Sequence, residues 1–303
     1  MKKEDHIGIT AFLILVCLTM SWGLNYPVIK VTNLGLSPVF NSMLRSVIAS
    51  VLGIGYCLFL KQPLFHRDIR LFHGFVVGLL FGLEFICVYI ALMYTDAARC
   101  GIFINLSPFV VAIGACLVVR EKLHAWQIAG LVLAFFGAYL VLKGKPRTWS
   151  RAMLAGDVLA IAAAVFWGAT TVYIKKYLAE RVHPINTFLY QLVFSIPIIL
   201  VFALVLEPRW VIGITPGIVA GLIYSSVLVA FVSYLTWFKL IHAYPISKLA
   251  VFTFLTPVFG TAAGGIFLKE QMTTGLIVGL CLVCAGIYAT NYRKETSPSP
   301  DTK

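Results

Sequence analysis

The chain has 303 residues, 60% of them hydrophobic and 12% charged, with a formal net charge of +12. Soluble domains carry about 25% charged residues, so a soluble enzyme, a kinase or a nucleic-acid-binding protein is excluded. The basic balance sits mostly in short segments between apolar stretches, where Lys and Arg orient a membrane chain.

Ten runs are apolar over the roughly 20 residues a membrane helix needs: roughly 8–29, 38–60, 71–93, 98–118, 124–142, 154–174, 184–206, 215–238, 245–268 and 273–290. The fold expected is an all-α membrane protein of ten transmembrane helices. The first run follows Met1 to His6 and is too long for a signal-peptide core, so it is expected to be retained. It carries Trp22 and Tyr26 on one face, and Ser21 and Asn25 on another, at i, i+4 spacing. The second run contains Arg45, the third Glu84, and the fourth Asn105 and Pro108. The sixth contains Trp167, Thr170, Thr171 and Tyr173, the eighth Tyr234 and Trp237, and the ninth Lys248, Thr253 and Pro257. The longest connections, Lys61–Arg70 and Lys143–Met153, leave no room for a soluble catalytic domain, and residues 291–303 are a polar tail. With the N-terminus in the cytoplasm, the inner connections collect the larger share of Lys and Arg. Both termini are therefore expected inside, in a cell (inner) membrane, although the connection at 143–151 runs against the trend.

The chain also repeats itself. Trp22-Gly23 followed by Lys30 recurs as Trp167-Gly168 followed by Lys175, eight residues after each Trp. At a constant offset of 149, Phe103, Leu106, Pro108, Glu121, Ile128, Gly130, Leu131, Gly137 and Tyr139 meet Phe252, Leu255, Pro257, Glu270, Ile277, Gly279, Leu280, Gly286 and Tyr288. Each unit, 8–142 and 154–290, holds five segments. An odd number turns the second unit upside down relative to the first, which is the inverted-repeat plan of secondary transporters.

The paired W-G…K openings, the L-S-P and L-T-P turns, and the R-E-K-L and K-E-Q-M ends followed by G-x6-G-x-Y resemble the paired EamA repeats of the drug/metabolite transporter superfamily. The resemblance covers about residues 8–292. It implies transport of small metabolites by alternating access, with helices 1, 3, 4 and 6, 8, 9 around a central cavity and helices 5 and 10 at the periphery. Efflux of amino acids or related compounds, coupled to protons, is the expectation. Uptake or exchange of a nucleotide-like or cofactor-like solute is the alternative, and a membrane-embedded lipid-modifying enzyme or a non-transporting sensor stands outside transport.

Two features of the residues themselves point to a cavity. Pro108 and Pro257 lie midway along their helices, and each disturbs the bond to the carbonyl four residues earlier, at Ile104 and Thr253. In hydrocarbon that is tolerated beside protein or water, so matched kinks either line a polar cavity or serve packing. Arg45 and Glu84 lie roughly 22 and 20 Å above the Lys61–Arg70 loop at about 1.5 Å per residue, so they are expected to pair. Gln191 takes the place of Arg45 in the second unit, and Val227 or Ser233 that of Glu84. Glu84 is then either a proton or substrate carrier or half of a static pair.

The remaining positions divide by type. The aromatic residues Trp22, Tyr26, Trp167, Tyr234 and Trp237 read singly as packing or interfacial anchors, and together as contacts to a flat or zwitterionic solute. Lys30, Arg99, Lys175 and Lys248 are expected to reach headgroups, with Lys248 the one that could instead receive an anionic substrate. Glu121 and Glu270, beside Arg120 and Lys269, read as local interfacial pairs. The six histidines show no metal-ligand spacing, and no nucleotide-binding loop or catalytic elbow is present, so no metal, cofactor or ATP-driven step is expected. The seven cysteines fall in apolar stretches, and Cys281-x-x-Cys284 reads as two small buried residues rather than a redox pair. The partners expected are a small-molecule substrate and membrane lipid, with a homo-oligomer possible and no nucleic acid.

Overall fold

The computed structural model describes residues 7–95, 97–142, 150–268 and 274–291. Apart from an isolated bridge between Leu36 and Val211, the described residues form helices and turns. A bilayer offers no water to backbone groups, so such an apolar chain satisfies its N–H and C=O groups within helices. The elements are α1 (Ile9–Thr32), α2 (Pro38–Phe59), α3 (Ile69–Tyr94), α4 (Ala97–Ile104) and α5 (Ser107–Gly114), the last continued by a π-helical turn at Ala115–Val119. There follow α6 (Ala125–Leu142), α7 (Arg151–Tyr177), α8 (Pro184–Leu206) and α9 (Pro216–Ile223), then a π-helical segment Tyr224–Ser233 that runs into α10 (Tyr234–Ala243). A 3₁₀ turn, Val251–Phe254, joins α11 (Ile246–Ala250) to α12 (Leu255–Leu268), and α13 (Thr274–Asn291) follows. Among the described residues seven helical spans are long and apolar enough to cross a membrane, and three shorter apolar helices cover 125–140, 246–260 and 277–291.

Local sequence sets several starts. Pro38, Pro184 and Pro216 occupy first turns, where the missing N–H costs nothing. Ser150 and Thr215 accept from Met153 N and Ile218 N at 3.1 and 3.3 Å.

The packing repeats across the two halves of the sequence. α1 packs on α12 as α7 packs on α5, and α3 packs on α7 as the α9 and π-helical span packs on α1. α2 lies against α8, and α6 against α13. In both of these last pairs the helices run in opposite directions. Glu207 at the end of α8 meets Val39 and Phe40 at the start of α2, while Gly53 near the end of α2 faces Phe188 at the start of α8. Likewise a Cβ on Gly130 would meet Gly286 O at 2.7 Å, and one on Gly137 would meet Gly279 O at 2.7 Å. The offset of 149 exchanges these two contacts. A Cβ on Gly23 would fall 2.4 Å from Thr256 O, and one on Gly168 3.3 Å from Ser107 O, the repeat-equivalent contact, with offsets of 145 for the glycines and 149 for their partners. Gly74, Gly78 and Gly82 form a ridge of small residues on α3 that receives Tyr190, Phe194 and Ile198 of α8.

Candidate functional site

The helix breaks build the site. Pro108 sits in the first turn of α5, so the fourth segment is two helices with Asn105 and Leu106 between them rather than one kinked helix. Ahead of Pro257 the backbone tightens to a 3₁₀ turn over Val251–Phe254. Both freed positions, Ile104 and Thr253, face one cavity of about 80 Å³.

The cavity is walled by residues of both halves. It gathers Trp22, Asn25, Tyr26, Glu84 and Asn105 from the first, and Trp167, Tyr234, Trp237 and Thr253 from the second. Thr170, Thr171, Gln191 and Thr256 add polar groups to the second half's wall, and Phe81 and Phe85 add rings to the first. Pro108, Pro257, Arg45 and Lys248 lie outside the lining. Thr256 stands 149 residues after Ser107, and Gln191 at the repeat position of Arg45; neither counterpart is among the lining residues, so the repeat gave no signal for these two.

Three indoles converge in the wall. Trp22 stands edge-on to Trp167 and Trp237 at centroid separations of 6.1 and 5.3 Å, and Trp167 lies nearly parallel to Trp237 at 6.1 Å. Edge-on and offset rings gain from the quadrupoles as well as from burial. Trp22 Nε1 donates to Ser233 Oγ at 2.8 Å, Ser225 Oγ donates to Asn25 Oδ1 at 2.8 Å, and Asn105 Nδ2 donates to Gly101 O at 2.6 Å. The aromatic and amide side chains are thus held in place by partners of their own. Tyr173, grouped with the cavity residues by spacing, faces away from them: its hydroxyl meets His73 Nδ1 at 2.8 Å.

The charges do not pair as expected. Arg45 is fully buried, and among the described residues none of its three guanidinium nitrogens has a hydrogen-bond partner; Glu84 Oε2 has none either. The guanidinium lies over the Phe85 ring, Cζ to centroid 3.8 Å, with Phe81 and Tyr234 at 5.7 and 5.6 Å. Matching depth along two helices fixes level but not rotation. Phe85, one residue on from Glu84, takes the guanidinium, while Glu84 turns to the cavity.

Charged groups at the helix ends tie the halves together. Glu121 accepts from Ile246 N at 3.1 Å, Ser247 N at 3.3 Å and Ser247 Oγ at 2.7 Å, so it caps α11 rather than forming a local surface pair with Arg120. Its repeat partner Glu270 and the neighbouring Lys269 lie outside the described residues, as does the side chain of Arg99. Glu207 accepts from Val39 N at 2.7 Å and Phe40 N at 2.9 Å. Lys175 turns inward instead of reaching headgroups: Nζ donates to Ile241 O and Tyr244 O, both at 2.7 Å, at the end of α10. In the 61–68 connection, the Arg70 side chain hydrogen-bonds Asp68 and holds its carboxyl down at about 2. His66 meets Tyr190 Oη through both its backbone N and Nδ1 at 2.9 Å, and burial followed by the nearby Arg70 lowers its pKa.

Comparison with known proteins identifies this architecture. Residues 9–143 and 154–292 each match the EamA-like transporter family. The uncharacterized transporter YvbV of Bacillus subtilis (strain 168) is 27% identical over 288 residues, covering 93% of this chain and 92% of that protein. A probable amino-acid metabolite efflux pump of Escherichia coli (strain K12) is 26% identical over 296 residues, 95% of each chain. A solved crystal structure shares the fold with a TM-score of 0.78 at 17% identity, over 92% of this chain and 96% of that one. The chain is an integral, multi-pass membrane protein and belongs to the EamA-like transporter family.

Proposed function

We propose that the protein is a secondary active transporter that exports amino acids or related small metabolites across the cell membrane by alternating access, coupled to the proton gradient. Residues 8–142 and 154–290 are then two five-helix repeats of opposite orientation, ten spans in all, with both termini cytoplasmic. Opposite orientation is supported by two repeat-equivalent pairs, α2 with α8 and α6 with α13, each packed antiparallel across the two halves. An odd number of segments per repeat requires the same inversion.

The observation that carries the function is Glu84. It is a carboxylate set in an aromatic wall of a small cavity whose lining, among the described residues, contains no Lys, Arg or His. A cargo ammonium group and a proton both neutralise that carboxylate, and it cannot hold both, which is the competition that proton-coupled export needs. An anionic, nucleotide-like solute meets no counter-charge among the lining residues. The relatives named as amino-acid metabolite efflux pumps support the same cargo class.

The test is transport of radiolabelled amino acids in proteoliposomes under an imposed pH gradient, comparing wild type with Glu84→Gln. The proton-driven component is expected to vanish in the variant. Wild-type flux with unchanged pH dependence would remove Glu84 from the mechanism, and absence of flux in the wild type across an amino-acid and nucleoside panel would remove the cargo assignment.

A further inference from the structure

The buried polar atoms that lack hydrogen bonds are not scattered. Among the described residues, most of them belong to one seam between α2, α3, α8 and the π-helical segment: all three nitrogens of Arg45, the hydroxyls of Ser42, Ser46 and Ser50, Tyr89 Oη, Ser226 Oγ, Gln191 Oε1 and Glu84 Oε2. Folded proteins leave few such groups unsatisfied, and a cluster of them marks a place that something polar occupies. Ser42, Arg45 and Ser46 fall at i, i+3 and i+4, on one face of α2. A fully buried guanidinium with no hydrogen bond is strongly unfavourable, and the face of Phe85 offsets only part of that cost.

We infer that Arg45, with the hydroxyls of Ser42, Ser46 and Tyr89, forms a subsite for a monovalent anion behind the aromatic wall, and that the anion is the carboxylate of a zwitterionic cargo whose ammonium group pairs with Glu84. The inference deepens the export function proposed above and rests on it for the cargo. Glu84 and Arg45 are an acidic and a basic side chain that are not hydrogen-bonded to each other, and each has polar atoms without a partner among the described residues. A zwitterion satisfies both at once and leaves the site neutral. The guanidinium's planar fork suits a carboxylate held by two parallel bonds. Phe81, Phe85 and Tyr234 surround the guanidinium and also line the cavity, so they stand between Arg45 and the cavity. Tyr234 is the first residue after the ten-residue π-helical segment, a type of backbone that concentrates at functional sites. A change of ring orientation there opens Arg45 to the cavity.

The experiment uses the full chain and two readouts. In detergent, thermal unfolding is followed while potassium acetate or potassium chloride is titrated at constant ionic strength against potassium sulfate. Acetate is expected to stabilise the wild type saturably and to leave Arg45→Gln unaffected; Gln is the residue that the second half carries at the equivalent position. In proteoliposomes, flux of an amino acid is compared with flux of its decarboxylated amine. The wild type is expected to prefer the amino acid by at least roughly tenfold in KM, the usual loss when a charged hydrogen-bond partner is removed. Arg45→Gln is expected to lose that preference while still carrying the amine. Stabilisation by chloride alone, with chloride needed for both cargoes, would assign the subsite to a free ion and overturn the cargo assignment. No saturable anion response in the wild type, together with unchanged preference in Arg45→Gln, would overturn the subsite itself. If Arg45→Gln does not fold, Arg45→Lys keeps the charge without the fork and is expected to weaken the acetate response; an undiminished response would count against the subsite. If the wild type carries no amino acid, the export function fails, and the acetate titration still decides whether Arg45 binds an anion.

Discussion

The crossing of α6 and α13 leaves no space for a methyl group. A Cβ on Gly286 would lie 2.4 Å from Gly130 O and 2.7 Å from both the N and Cβ of Ala134. Two of these three atoms are backbone, so no rotamer change relieves the clash and the helices must separate by about an ångström. Overpacking of this kind costs about 1–3 kcal/mol, against which Ala returns up to about 1 kcal/mol of helix propensity over Gly. Gly286→Ala is therefore expected to destabilise the protein by about 1–2 kcal/mol in reversible unfolding followed by circular dichroism in mixed micelles. Gly55→Ala is the control, since a Cβ there meets nothing within 4 Å and should be neutral or slightly stabilising. Adding Gly130→Ala, whose Cβ would press on Gly286 O at 2.7 Å, should cost less than the sum of the two single changes, because the helices have already moved apart. A Gly286→Ala protein as stable as Gly55→Ala would refute the glycine crossing.

Two further outcomes follow from the helix ends. Glu121→Ala removes the acceptor from Ile246 N and Ser247 N and should lower stability by about 0.5–2 kcal/mol, with Glu121→Gln losing less; equal stability of wild type and Glu121→Ala in the same unfolding assay would contradict the cap. His66 has a lowered pKa, so as pH falls below the ordinary histidine value of 6.5 the unfolded chain takes up the proton first. Its contribution is fully present above that value and declines as pH falls toward the folded pKa. The unfolding temperature should fall on acidification below neutrality, with a shallower slope in His66→Gln. Asp68, held at about 2, keeps its contribution until pH nears the ordinary aspartate value of 3.8, so the slope is compared above that pH; an identical slope in wild type and His66→Gln would count against the His66 assignment.

The sequence exposed what depends on period and repetition, and hid what depends on rotation and on partners remote in the chain. Apolar runs of membrane length, the repeated Trp-Gly openings and the helices that the resemblance sets around a cavity pointed to Trp22, Asn25, Tyr26, Glu84, Trp167 and Thr253, and all six line one cavity. The matched prolines pointed to the freed positions at Ile104 and Thr253 that line it. Arg45 was placed at the right depth and with the wrong partner, because two neighbouring residues on α3, Glu84 and Phe85, differ by about 100° in direction and only the packed helices decide which one meets it. Lys175 looked like any lysine at a helix end until the carbonyls of Ile241 and Tyr244, more than sixty residues later, supplied acceptors. Glu121 reached across to α11 for the same reason. The π-helical segment at Tyr224–Ser233 has no composition that separates it from an ordinary apolar helix.

The central claim is that solute crosses through the cavity between the two halves, and blocking that cavity tests it most directly. Thr171 is buried and lines the cavity, whereas Val232 is exposed on the outer surface of its helix. Amino-acid counterflow in proteoliposomes should fall to the level of empty vesicles for Thr171→Phe, with the protein still monodisperse and folded, while Val232→Phe should transport as the wild type does. Wild-type counterflow by a folded Thr171→Phe protein would mean that the cargo takes another route.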